Sequence, residues 1–432
     1  MEIELNSKQK DAFQNMKYGK NIFLTGPGGS GKSFLLKYFI EYYKNEIETE
    51  DSLLYVTSTT GLSASLIDGI TINHYASIGL GDKDVDYYYK KIIKMKSLRN
   101  RWIKTKILII DEISMMDPEL FDKLEFLSRK IRKNKNIFGG IQVILSGDFL
   151  QLPPVKCKNF CFEALNWNSV IEKTFYFDKI IRQDDNLLQN VLNNIRIGKV
   201  NEEVIELLDS CLNRDLTNKE GIIPTLLFSK KNMVIEYNEK ELGKLINDKK
   251  EYKIFESNYK FKDKITEESK EKLKILINNK FQVDDKITLS INSQVMLTIN
   301  FPDKGLSNGS RGIVIDFTKD ENRYPVVLFL NGQTMIIEYY EYKLIEENQY
   351  EKDEFVTKCQ IPLILSWAIT IHKAQGMSLE YVKTDIGSSI FEYGQAYVVL
   401  SRIKSIEGLS LINIDYSKIK AHPKILKYYE EL

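Results

Sequence analysis

GPGGSGKS at residues 26–33 follows the apolar run NIFLT (21–25) and precedes FLLKYFIEYY (34–43). In the latter, Phe34, Leu35, Tyr38, Phe39 and Tyr42 recur at helical spacing. The reading is a buried strand, a glycine-rich loop and a helix, with the loop matching G-x-x-x-x-G-K-[ST]. Gly26, Gly28, Gly29, Ser30 and Gly31 let the backbone wrap around phosphate groups with its N–H donors pointing inward. The helix that follows adds the positive end of its dipole. Lys32 is placed to reach the terminal phosphates and Ser33 to give an oxygen to magnesium.

Working outward, LLYV (53–56), ILII (107–110) and VILS (143–146) are further buried-strand candidates. Leu120, Leu124, Leu127 and Ile131 mark one face of a helix that starts at Pro118. Strands alternating with helices predict an α/β fold with a parallel sheet. In such sheets ligands bind beyond the carboxyl ends of the strands. The glycine loop, Asp111 and Gly147 all fall at those ends. In ILIIDEIS (107–114), Asp111 would hold magnesium and Glu112 would accept the proton of an attacking water. A solvated turn is the alternative for that pair. In SGDFLQLPPV (146–155), Gln151 can hydrogen-bond a γ-phosphate or its attacking water, and Pro153 and Pro154 stiffen the exit from the strand. A plain turn reads equally there.

The pattern restarts after residue 181. LLFS (226–229), YVKTDI (381–386) and LSLINI (409–414) predict strands of a second sheet. Between residues 284 and 348, short strand candidates joined by Gly, Asn and Asp turns predict a small β insertion or barrel. The Lys- and Glu-dense stretch 247–283 reads as a solvated connector. The expected division is 1–180, then 181–283 with 349–432, with 284–348 inserted.

The chain has 432 residues and a formal net charge of +1, so a whole-protein basic field is absent and any nucleic-acid site must be a local cluster of Lys and Arg. No apolar run is long enough to span a membrane, and the first residues resemble neither a secretion signal nor a transit peptide. Cys157, Cys161, Cys211 and Cys359 complete no zinc pattern and read as reduced thiols, which points to a cytosolic or nuclear compartment.

GPGGSGKS, IIDEISMM (109–116), SGDFLQLPPV, the pair Arg182-Gln183, GLSNGSRGIV (305–314), LSWAITIHKAQGMSLE (365–380) and GQAYVVLSRI (394–403) occur in an order that resembles superfamily 1 helicases. More narrowly, they resemble the Pif-type (petite integration frequency) DNA helicases, relatives of RecD, over nearly the whole chain. The resemblance implies two RecA-like motor domains, a small SH3-like β-barrel inserted in the second, and a strand-separating wedge at 79–104 in the first. A half-buried helix reads equally well for that last segment. LNSKQKDAF (5–13) resembles the family's adenine-contacting segment, which makes Gln9 the base reader, and Gly376 falls among the nucleotide-binding positions. Arg182 and Arg402 take the role of arginine fingers, and Thr59, His74, Pro154, Asn308, Arg311, Thr370, His372 and Lys373 that of DNA contacts. An Asn-Gly β-turn explains Asn308 and Gly309 as well, and a core histidine is open for both His74 and His372.

The expected activity is that of an ATP- and magnesium-dependent DNA helicase acting on single-stranded and forked DNA in replication, repair or recombination. It is expected to be a monomer, and by resemblance it moves 5′→3′. Compared with longer relatives, extended terminal regions are missing, which predicts no accessory partner-binding or targeting function. A translocase or RecD-like subunit without unwinding activity remains open, as does a nucleotide-gated binding protein.

Overall fold

The computed structural model describes residues 5–79, 81–154, 158–181, 185–216, 223–262, 265–281, 283–306, 308–348, 351–375, 377 and 379–432. Contacts divide the chain into two compact units. The first comprises residues 1–209, 390–405 and 415–432, and the second comprises residues 210–389 and 406–414.

The first unit is built on a six-stranded parallel sheet in the spatial order Ile70–Thr71, Leu53–Ser58, Thr105–Asp111, Gln142–Ser146, Ile22–Thr25, Lys173–Tyr176. Successive strand residues point to opposite faces, and both faces are covered. Phe23, Leu108, Ile110, Val143 and Leu145 pack into one apolar cluster, while Ile22, Leu24, Ile107, Ile109 and Ile144 pack into another. A strand buried on both sides has no polar alternation, which is why NIFL, ILII and VIL read as unbroken apolar runs. The predicted helices are present as Lys32–Glu46 and Pro118–Arg132, the latter capped by Asp117 and followed by Lys133 in the left-handed region.

Segment 79–104 holds two helices, Val85–Lys94 and Lys96–Lys104. Tyr88, Ile92, Leu98 and the fully buried Trp102 tie them into the first apolar cluster. Arg132 donates to the carbonyls of Trp102, Ile103 and Thr105, so the end of the second helix is fastened to the body of the unit.

The second unit contains a four-stranded parallel sheet in the order Ala368–Thr370, Thr225–Phe228, Val382–Ile386, Leu409–Ile414. Its remaining strands form three small antiparallel sheets. Five strands run Thr334–Ile336, Pro325–Phe329, Arg311–Phe317, Gln294–Leu297, Leu363–Leu365; three run Tyr340–Asn348, Glu351–Gln360, Asn258–Phe261; and Lys286–Ser290 pairs with Tyr252–Glu256. One apolar core serves all three and includes Phe255, Ile277, Val295, Phe329, Tyr342 and Val356.

The solvated connector expected at 247–283 is therefore corrected. Tyr252–Glu256 and Asn258–Phe261 are strands and Glu267–Phe281 is a helix. The abundant Lys and Glu decorate the outer faces, while Phe255 and Ile277 are fully buried on the inner ones. Among the described residues no helix is long and apolar enough to cross a membrane. Cys161, Cys211 and Cys359 are free thiols, and Cys157 lies outside the described residues.

Candidate nucleotide site and nucleic-acid contacts

The strand Ile22–Thr25 runs into the glycine loop, and Gly31 starts the next helix with φ 90°, a left-handed value that favours glycine. A Cβ there would stand 2.6 Å from Gln9 Nε2. Gln9 itself is buried and held by a reciprocal cap: its Oε1 accepts from the Asn6 amide at 3.0 Å while its own amide donates to Asn6 at 2.9 Å. That leaves Nε2 buried without a hydrogen-bond partner among the described residues, beside the phosphate loop. A buried donor without an acceptor costs free energy, and a base edge would supply the acceptor.

Lys32 Nζ donates to the carbonyls of Gly26 at 2.8 Å and Pro27 at 2.9 Å. Burial lowers its pKa below the ordinary value; Asp148, Glu112 and Asp111 pull it back up and Arg196 adds to the lowering. Three carboxylates from two other strand ends thus act on one ammonium. Asp111 ends the strand Thr105–Asp111 and is buried. Burial raises its carboxyl, opposed by Ser146, the Glu112 amide (2.9 Å) and Lys32. A divalent cation would pull that carboxyl down, and a carboxylate with the Ser33 hydroxyl on the adjacent helix is the hard-oxygen set that magnesium takes. Glu112 sits in the left-handed region at φ 53°, which a non-glycine residue occupies only when its surroundings hold it there. Thr59 does part of that holding, its hydroxyl donating to the Glu112 carbonyl at 2.9 Å.

Gln151 is buried, and its Oε1 has no hydrogen-bond partner among the described residues. The helix Gln395–Leu400 packs against this segment through Gly394, where φ is 71° and a Cβ would lie 2.6 Å from the carbonyl oxygens of both Leu150 and Gln151. Arg402 follows that helix. It is 1% exposed, with Nε donating to the Val398 carbonyl at 2.9 Å and Nη2 to Ser401 Oγ at 2.7 Å. Its Nη2 stands 3.2 Å from where a Cβ on Gly28 would be. Lys32, Asp111, Glu112, Gln151 and Arg402 therefore belong to one site within the first unit. Arg182 and Gly376 lie outside the described residues.

Sequence reasoning missed a buried ion pair under the loop. Arg196 donates to Asp148 through Nε (3.0 Å) and Nη2 (2.8 Å). Burial alone would raise the Asp148 carboxyl, but Arg196, with help from Lys32, holds it below its ordinary value. Tyr429 from the helix Pro423–Glu430 joins the pair: its hydroxyl lies 2.6 Å from Thr25 Oγ1 and 3.2 Å from Asp148 Oδ1, and it accepts from the Phe149 amide at 3.1 Å. No local spacing relates these residues, so no motif could have shown the cluster.

Of the nucleic-acid candidates, Thr59 and His74 are half-buried and Pro154 is buried. In the second unit, Thr370 caps the short helix Ile371–Ala374, its side chain accepting from the Lys373 amide at 3.1 Å. Burial pulls the Lys373 ammonium down to about 8, against the charge of Asp284 and with that of Lys231. The turn carrying Asn308 adjoins the same region, since a Cβ on Gly309 would meet Met377 Sδ at 3.4 Å. His372 on the helix is half-buried.

Arg311 is 3% exposed and donates to the carbonyls of Ile223 (2.8 Å) and Tyr381 (3.2 Å), with burial pulling it down to about 10. Two of its guanidinium nitrogens bond internal backbone oxygens, while Nε is buried without a partner among the described residues.

A family model described as PIF1-like helicase matches residues 4–206. The ATP-dependent DNA helicase PIF1 of Xenopus laevis is 35% identical over 436 residues, covering 100% of this chain, which in turn spans 65% of the frog protein's length. The crystal structure of a Pif1 helicase from Candida albicans is similar at TM-score 0.82 and 35% identity, over 99% of each chain. A Bacteroides Pif1 helicase in complex with ADP-AlF3 and single-stranded DNA is similar at TM-score 0.67 and 28% identity, over 100% of this chain and 97% of that one.

Proposed function

The chain belongs to the PIF1-like helicase family, and from that premise we propose that it is an ATP-dependent DNA helicase that moves 5′→3′ along single strands and unwinds forked duplex. The observation that carries this reading is the convergence of Lys32, Asp111, Glu112, Gln151 and Arg402 on one loop. Such a site positions a nucleoside triphosphate, neutralises its terminal phosphoryl and directs a water at it. Magnesium, held by Asp111 and Ser33, would supply further charge neutralisation. Glu112 takes the proton from the water, Gln151 orients it, and Arg402, with Arg182, meets the charge that builds on the phosphoryl group. Thr59, His74, Pro154, Asn308, Thr370, His372 and Lys373 are the DNA contacts in this reading.

Two measurements on the isolated chain decide it: ATP turnover with and without single-stranded DNA, and unwinding of a fork with a 5′ tail. DNA should accelerate turnover, and the fork should open. Acceleration without opening would leave a translocase. Turnover indifferent to DNA would end the motor reading.

Glu112→Gln keeps shape and hydrogen-bonding length but cannot take a proton. The variant should bind ATP near-normally while turnover falls by about 10² or more, the scale of lost general-base catalysis. Failure to bind nucleotide would make Glu112 a structural residue.

The single-strand affinity should also fall steeply with salt, because net charge is only +1 and attraction must come from local cations releasing counterions. Each neutralised phosphate contributes a slope of about −0.7 in log affinity against log salt. A flat profile between low and physiological salt would point to another ligand.

A further inference from the structure

Tyr397 lies in the short helix between Gly394 and Arg402 and is 2% exposed. Its hydroxyl accepts the Gly28 amide at 2.8 Å. That amide belongs to the loop whose N–H groups are the phosphate cradle. Around the Cβ position of Gly28, three polar tips from two distant chain segments converge: Arg402 Nη2 at 3.2 Å, Tyr397 OH at 3.6 Å and Gln151 Nε2 at 3.7 Å. A Cβ at 28 would press on Arg402 and lie in van der Waals contact with the other two.

A phenol oxygen that accepts from an amide still carries a proton to donate. Among the described residues the Tyr397 hydroxyl has no acceptor of its own. The hydroxyl also keeps that proton, because burial, aided by Asp148, pushes its pKa up to about 12. Gln151, whose Oε1 has no partner among the described residues, reaches the same spot with its Nε2.

We propose that Tyr397 is a phosphate-reading residue: its hydroxyl fixes the Gly28 amide and donates its proton to the terminal phosphoryl oxygen of a nucleoside triphosphate, alongside Arg402 and Gln151. The proposal rests on the reading of this site as a nucleoside triphosphatase. It makes the triphosphate, and not the diphosphate, the ligand that satisfies the hydroxyl. A hydroxyl that only propped the loop would serve both nucleotides alike, since both need the cradle.

The test is Tyr397→Phe in the full chain, titrated with fluorescent ATPγS and, separately, fluorescent ADP, with thermal melting to confirm the fold. Affinity for the triphosphate should fall about tenfold or more, the usual effect of losing one hydrogen bond to a charged group. Affinity for the diphosphate should stay within about twofold, and DNA-stimulated turnover should fall at least as far as triphosphate affinity. An equal loss for both nucleotides, or none for the triphosphate, overturns the proposal. If the phenylalanine variant does not fold, 3,5-difluorotyrosine at position 397 keeps the ring and hydroxyl but titrates at lower pH. Triphosphate affinity should then drop as the hydroxyl loses its proton, with diphosphate affinity level, and a pH-independent ratio of the two overturns the proposal. The unmodified chain is the control. If it neither binds nor hydrolyses ATP, the triphosphatase reading fails; if it does both and Tyr397→Phe behaves identically, only the role of Tyr397 fails.

Discussion

Lys32→Ala should abolish ATP turnover and leave the protein folded. The ammonium is the cation seated in the loop, 2.8 Å from the Gly26 carbonyl and 2.9 Å from that of Pro27. Backbone carbonyls hold it in place without neutralising it, so its charge is available to a phosphate. A charge-assisted bond to phosphate is about twice as strong as a neutral one, and positioning plus charge neutralisation is nearly all that phosphoryl transfer asks of a protein. The fold should survive because burial lowers the pKa of this lysine from its ordinary value. A lysine with a lowered folded pKa binds fewer protons folded than unfolded, so charging it costs stability at every pH below its folded pKa. At neutral pH alanine removes that cost. Alanine also gives up the bonds to the Gly26 and Pro27 carbonyls, so the two effects offset and the melting temperature of Lys32→Ala should stay close to that of the unmodified chain, with turnover at background. Hydrolysis at the normal rate would sink the whole functional reading.

The parts of this site that were legible in the sequence are those fixed by local chemistry. Lys32 and Ser33 are named by the loop spacing, and Asp111 by the apolar strand that delivers it, because a strand buried on both faces stands out as an unbroken run. Arg196 and Tyr429 were invisible for the opposite reason. Arg196 meets Asp148 across 48 positions and Tyr429 meets it across 281, so neither pairing follows a helical or strand period. Tyr397 lies within GQAYVVLSRI without a sign of its role, because only the folded chain puts its hydroxyl on the Gly28 amide, 369 residues away. Charge was the less reliable guide. At 247–283 the Lys and Glu content hid Phe255 and Ile277. At Arg311 a cation in a turn-rich stretch suggested DNA, and the fold gives it a further task, bonding two internal carbonyls.

The Arg402→Ala variant should separate binding from hydrolysis. The segment 390–405 belongs with the phosphate loop by contact, although in sequence it joins two strands of the second unit, Val382–Ile386 and Leu409–Ile414. The chain that carries Arg402 to the nucleotide is thus continuous on both sides with the sheet that also holds the Thr370–Lys373 segment. Turnover should fall by about 10³–10⁵, the worth of an arginine that stabilises charge on a transferring phosphoryl group. ATP affinity should fall much less, since the glycine loop and Lys32 are untouched, and single-strand binding without nucleotide should be nearly unchanged. A surface ion pair, whose loss costs under about 1 kcal/mol and spares catalysis, does not describe a side chain that is 1% exposed. A buried structural role does need testing, because Nε and Nη2 bond Val398 and Ser401. Arg402→Lys supplies that test. It keeps the charge and most of the volume but loses the planar fork, so it should fold and bind ATP while recovering only part of the turnover. Near-normal turnover in a folded Arg402→Ala protein would remove Arg402 from the reaction, leaving Arg182 to supply the positive charge.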